Sequence, residues 1–187
     1  MEFTHKPVLL QECLDGLAIK PQGVYLDGTL GRAGHSREIA RRLGSEGRLI
    51  CIDRDQAALD AAGERLGEWM DRVTLIHGNF GDLADLLDDR GLSGLDGMLF
   101  DLGVSSPQLD DKTRGFSYMQ DAPLDMRMDQ SERLTADTVV NQWPQEELRR
   151  ILWQYGEERY APQIAAAIVR RRAERPTAST LDLVEVI

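Results

Sequence analysis

The chain has 187 residues, 42% hydrophobic and 29% charged, a composition that suits one folded domain, or one and a part, and excludes a disordered chain. A formal net charge of −10 argues against a broad basic face for non-specific nucleic-acid binding. No apolar run approaches a membrane span, and Cys13, Cys51 and the scattered His5, His35 and His77 form neither a disulfide framework nor a metal-ligand set, so a metal-free protein of a reducing cytoplasm is expected.

A lead through His5 precedes a helix expected to end near Gly16, and Pro21 and Gly23 break the chain before the first strand. That strand ends in Asp27, with Gly28, Gly31 and Gly34 at spacing three and a helix over 36–43. Strand, glycine turn and helix start make a nucleotide-type site, because the backbone turns sharply and lets a ligand approach without an intervening Cβ. This spacing is not the G-x-G-x-x-G fingerprint of a dinucleotide site, which disfavours NAD. A second apolar run, 49–52, leads into Asp53, 25 positions after Gly28 and placed to accept hydrogen bonds from ribose hydroxyls. Cys51 within that run reads as a buried thiol.

An Ala-rich helix over 55–66 leads to a third strand over 73–76, then Phe80 and a helix over 83–87. Phe80 is placed either to pack on an adenine ring or to serve as plain core. A fourth strand is expected over 95–102, carrying Asp101, a carboxylate placed to accept a hydrogen bond from an amine nucleophile or from a cofactor's amino group. Four apolar runs separated by helices predict a parallel sheet in the order 3-2-1-4, helices on both faces. Residues 104–133 show little periodicity, and helices are expected over 135–142, 145–155, 161–172 and from 180 onward. Between residues 146 and 175, seven arginines face five acids, a local net of +2 that includes Arg170, Arg171 and Arg172. Such a run usually forms a solvated helix face.

Five segments together resemble the MraW family of ribosomal RNA small-subunit methyltransferases: Asp27-Gly-Thr-Leu-Gly-Arg-Ala-Gly-His-Ser36, Asp101-Leu-Gly-Val-Ser-Ser-Pro-Gln-Leu-Asp110, Arg114-Gly-Phe-Ser117, Pro123-Leu-Asp-Met-Arg-Met-Asp129 and Tyr155-Gly-Glu-Glu-Arg159. The resemblance runs in the family's order along the chain. It implies an α/β, Rossmann-like methyltransferase sheet dependent on S-adenosyl-L-methionine, with a cofactor-binding part over 1–108 and an all-helical insertion for RNA recognition over 109–187. The implied reaction is methylation of N4 of a cytidine in 16S ribosomal RNA. The implied cofactor contacts are Ala33, Gly34 and His35 at the methionine end, Asp53 at the ribose, Phe80 at the adenine, and Asp101 and Gln108 completing the pocket, with Asp101 also catalytic. Ala33 stands where the family commonly has glycine, and an ordinary φ is expected there.

The implied partner is the small ribosomal subunit or its RNA, met through Arg127, Arg159 and Arg170 to Arg172. The family continues beyond residue 187 with further strands. A free edge on strand four, self-association into a homo-oligomer or reduced stability, and weak turnover are therefore expected. The alternatives are a non-catalytic S-adenosylmethionine- or RNA-binding fragment and a DNA amino-methyltransferase. The last of these lacks its Pro-Pro-aromatic signature here.

Overall fold

The computed structural model describes residues 7–187, so His5 of the lead lies outside the described residues. The chain divides into two compact units, Met1–Gly103 and Val104–Ile187.

In the first unit helices and strands alternate: α1 (Leu10–Leu17), β1 (Val24–Asp27), α2 (Gly34–Arg42), β2 (Arg48–Asp53), α3 (Gln56–Arg65), β3 (Val73–His77), α4 (Leu83–Asp88) and β4 (Gly97–Leu99). The strands form one parallel sheet in the order β3-β2-β1-β4, as the four apolar runs predict. Leu26 of β1 stands between Ile50 of β2 and Met98 of β4. Side chains alternate across the sheet. Tyr25, Leu49 and Cys51 pack with Leu14, Ile39, Ala40, Leu59 and Ala62 of α1, α2 and α3. Leu26, Ile50, Ile52 and Ile76 face the other way, onto Leu83, Leu86 and Leu87 of α4. Both faces are covered, which is why β2 reads as an unbroken apolar run. Each fully buried Leu or Ile contributes about 1.5–3 kcal/mol relative to exposure.

β4 is shorter than expected, three residues rather than eight. Among the described residues it pairs with β1 alone, and that register stops at Asp27 opposite Leu99. Beyond it the Asp101 N–H donates to the side-chain Oγ1 of Thr29 (2.7 Å) and leaves the ladder. Before it, the Asp96 N–H donates to the Val24 carbonyl (2.7 Å), while its carboxylate accepts the Val24 N–H (3.0 Å) and pairs with Lys20 (2.8 Å).

The second unit is helical: α5 (Ser106–Asp110), α6 (Ala136–Gln142), α7 (Gln145–Gln154), α8 (Ala161–Glu174) and α9 (Thr180–Val184), with no strand among the described residues. α5 falls where little regular structure is expected. Its start is a capping box between Ser105 and Gln108 with Pro107 in the first turn, which satisfies donors that an isolated short helix leaves open. Leu124, Val140, Leu148, Ala165 and Ile168 form this unit's core.

The basic residues offered for RNA divide sharply. Arg172 donates to the Val140 and Trp143 carbonyls at the end of α6 (2.7 and 2.6 Å), and Arg171 pairs with Asp182 (2.6 Å). Arg127 pairs with Asp125 (2.7 Å) and donates to the carbonyls of Gln130 and Glu132. Arg159 and Arg170 are the exposed ones.

Candidate functional site

In an open parallel sheet a ligand crevice forms where the chain leaves one strand in opposite directions. Here β1 is followed on one side by β2 and flanked on the other by β4, so the crevice lies at the carboxyl ends of β1 and β4. The elements placed there begin with the glycine turn after Asp27.

Asp27 is 1% exposed and ties both ends of that turn. Its Oδ1 accepts the Thr29 N–H (3.1 Å), and its Oδ2 accepts the Ser36 hydroxyl at the start of α2 (2.6 Å). Burial pushes this carboxyl above the usual carboxylate range, opposed by the bonds from Ser36 and Thr29 and by His35. The Ser36 Oγ also lies 3.3 Å from the Cys51 sulfur. Burial drives the Cys51 thiol far up, so it is inert structure.

Gly31 has φ +48, a left-handed conformation that glycine supplies without strain. Its N–H donates to Asp53 Oδ2 (2.7 Å), while Asp53 Oδ1 accepts the Asp55 N–H (2.9 Å). Asp53 therefore latches the turn to the end of β2, and each carboxylate oxygen retains capacity for a further donor. Ala33 does not have the ordinary φ expected of it: its φ is +57. A residue with a Cβ pays roughly 1 kcal/mol or more there, which is the reason glycine suits the position. Ala33 is the N-cap of α2 and makes no side-chain cap bond, so the first-turn N–H groups and the positive end of the helix face the crevice uncapped by it.

A Cβ on Gly34 would lie 2.4 Å from Cγ of Pro7, so the segment entering α1 packs directly on the α2 start. His35 is buried, and its Nε2 lies 3.1 Å from the Val8 carbonyl. A carbonyl only accepts, so Nε2 carries the proton, and Nδ1 faces Asp101 Oδ2 at 3.9 Å. The imidazole is thus packed between the Val8 carbonyl and the Asp101 carboxylate. The Asp101 carboxylate is 52% exposed, while its own N–H is held by Thr29. Phe80 opens a short 3-10 turn (Phe80–Asp82) that Asn79 caps by accepting the Gly81 N–H (2.9 Å). Its ring meets Phe100 edge-to-face, centroids 5.5 Å apart. Phe100 is a site-edge residue that the sequence reading does not single out. The available signal is an aromatic beside Asp101 in the sequence.

Six of the seven expected contacts, Ala33, Gly34, His35, Asp53, Phe80 and Asp101, belong to the first unit, Asp53 at the end of β2 and the rest in turns and helix starts. Gln108 belongs to the second, where it is buried and its Oε1 accepts the Ser105 N–H (3.0 Å). Among the described residues no group of three His, Cys, Asp or Glu could hold a metal ion, and no helix is long and apolar enough to cross a membrane. The crevice edge thus offers N–H donors at the start of α2, the carboxylate acceptors of Asp53 and the partly exposed ring of Phe80.

Over residues 2–187 the chain matches the MraW methylase family. Proteins named ribosomal RNA small subunit methyltransferase H from Brevibacillus brevis and Symbiobacterium thermophilum are each 54% identical to it over 187 residues. The chain spans 60% and 59% of their respective lengths. Among solved structures, a putative rRNA-methylase from Clostridium thermocellum is 23% identical with a TM-score of 0.46, covering 55% of each chain. The C-terminal domain of a precorrin-6Y C5,15-methyltransferase from Rhodobacter capsulatus is 17% identical, with a TM-score of 0.44 over 76% of this chain and 71% of that one. The family match supports S-adenosyl-L-methionine as the cofactor, in keeping with a glycine spacing that disfavours NAD.

Proposed function

The chain belongs to the MraW methylase family, and from that premise we propose that it forms the cofactor-binding and catalytic edge of an enzyme that methylates the exocyclic N4 of a cytidine in 16S ribosomal RNA. The observation that carries this reading is the family match over residues 2–187, joined to a carboxyl-edge crevice whose donors and acceptors suit S-adenosyl-L-methionine. When bound, that cofactor supplies an electrophilic sulfonium methyl group. The residues of this chain do the rest. First-turn N–H groups of α2 receive the carboxylate of the methionine end. Asp53 accepts from the ribose hydroxyls while holding Gly31. Phe80 lies against the adenine.

The N4 lone pair of cytosine is delocalised into its ring, so the amine needs positioning and a proton acceptor more than it needs a stronger electrophile. Asp101, with a half-exposed carboxylate on an anchored backbone, would accept the proton that N4 releases as it takes the methyl group, whose bond to the sulfonium sulfur breaks as the N–C bond forms and leaves a neutral thioether. The base reaches it only when unstacked from its neighbours. Exposed Arg159 and Arg170 of the second unit suit the RNA backbone.

Two measurements test this. Calorimetric titration with S-adenosyl-L-methionine and with NAD is expected to show binding of the first alone. Incubation of the chain with methyl-labelled cofactor and small-subunit particles, free RNA or DNA is expected to label RNA at cytidine N4, in single turnover at least. Label in DNA only would overturn the substrate, and binding without any transfer would favour a purely cofactor-binding role.

A further inference from the structure

We infer that Phe100, seated in the notch left by Gly28, is the second aromatic wall of the nucleobase subsite. The inference rests on the cofactor reading of Phe80 above and extends it to a residue for which that reading has no role. Phe80 follows β3 and Phe100 follows β4, the two outer strands of the sheet, with β2 and β1 between them. At about 4.8 Å per strand spacing, the strands themselves stand roughly 14 Å apart. Their rings nevertheless meet with centroids 5.5 Å apart at an interplanar angle of 64°. The pair therefore bridges the carboxyl ends of β1 and β2, with Phe100 against Gly28.

The position of Phe100 depends on Gly28. A Cβ there would lie 2.2 Å from Cε1 and 2.5 Å from Cδ1 of the Phe100 ring, contacts that a rigid ring cannot relieve by bending. Phe100 belongs to neither apolar cluster of the sheet, although Leu99 beside it packs into one of them. It is 38% exposed and Phe80 is 40% exposed. Two large rings held at the ligand edge, each with part of its surface open, present what a flat purine requires for offset or edge-on contact. An ordinary core role would have packed them on a sheet face as Ile76 of β3 and Leu99 of β4 are.

Calorimetric titration of wild type, Phe100→Ala, Phe100→Leu and Phe100→Tyr with S-adenosylhomocysteine and with methylthioadenosine tests the assignment. Phe100→Ala should weaken both ligands by the same factor, about tenfold or more, as loss of one aromatic surface on a base does. Phe100→Leu, which keeps apolar bulk without the ring, should weaken both to a lesser but equal extent, and Phe100→Tyr should stay near wild type. Unchanged affinities in Phe100→Ala would overturn the inference while leaving the cofactor reading intact. So would a loss confined to S-adenosylhomocysteine, since that pattern means Phe100 only props the glycine turn that receives the amino-acid end. A wild-type chain that binds neither ligand would overturn the cofactor reading and this inference with it.

Discussion

At the scale of single residues, Asp27 links protonation to stability. Its carboxyl is buried, and burial raises its pKa above the ordinary 3.8 despite the bonds from Ser36 and Thr29. The folded chain therefore holds this proton more tightly than the unfolded chain. Stability from this group is present in acid and is lost as pH rises from about 4 through the folded value. Asp27→Asn cannot ionise, still accepts from the Thr29 N–H, and can donate to the Ser36 oxygen. Thermal melting of both proteins from about pH 4 upward should show the variant gaining on wild type as pH rises. Carboxylates with lowered pKa, such as Glu38 beside Arg42, act in the opposite sense and cancel because both proteins share them. A difference in melting temperature that stays flat with pH would refute the assignment.

At the scale of elements, the arginine run in α8 shows how one segment serves two purposes. Arg172 crosses to α6 and gives charged hydrogen bonds to carbonyls that the end of that helix leaves open. Arg170, two positions earlier, faces solvent. Arg172→Met should cost about 1–3 kcal/mol in urea denaturation, because the α6 carbonyls lose a charged donor. Arg170→Met should stay within about 0.5 kcal/mol. Equal effects would mean that Arg172 does not brace α6. In an RNA-binding assay the order reverses for a properly folded chain: Arg170→Met should reduce binding and its salt dependence, as loss of a phosphate contact does.

At the scale of the molecule, the outer edge of β4 has no partner strand among the described residues, and Met98 on it is half exposed. Open edges with apolar side chains recruit other strands. The net charge of −10 opposes association of two copies, and salt screens that repulsion over a Debye length of about 8 Å at physiological strength. Sedimentation should therefore show concentration-dependent association that strengthens with added salt. Met98→Lys should return the chain toward a monomer. A wild-type chain that stays monomeric at every concentration and salt level would sink this view of the edge.

What the amino-acid sequence determined by itself is the part written in local pattern. The apolar runs into Asp27, Asp53 and the third strand, each followed by a helical segment, led to a parallel sheet in the observed order, since strand periodicity and the hand of crossovers act over short stretches. The same reading set Asp53 and Asp101 near the carboxyl edge, because residues that end such strands lie there. The length of β4 was not legible, since a strand runs only as far as its neighbour offers ladder groups, and β1 stops at Asp27. Nor was the left-handed backbone of Ala33, which is decided by how the turn closes between Asp27 and Asp53. The division of labour within the arginine run was equally hidden. Only the fold decides that Arg172 meets the last carbonyls of α6 while Arg170 meets water, and only the fold brings Phe80 and Phe100 together from opposite edges of the sheet. Each of these depends on a partner far away in the chain, and local pattern carries no record of which distant group will arrive.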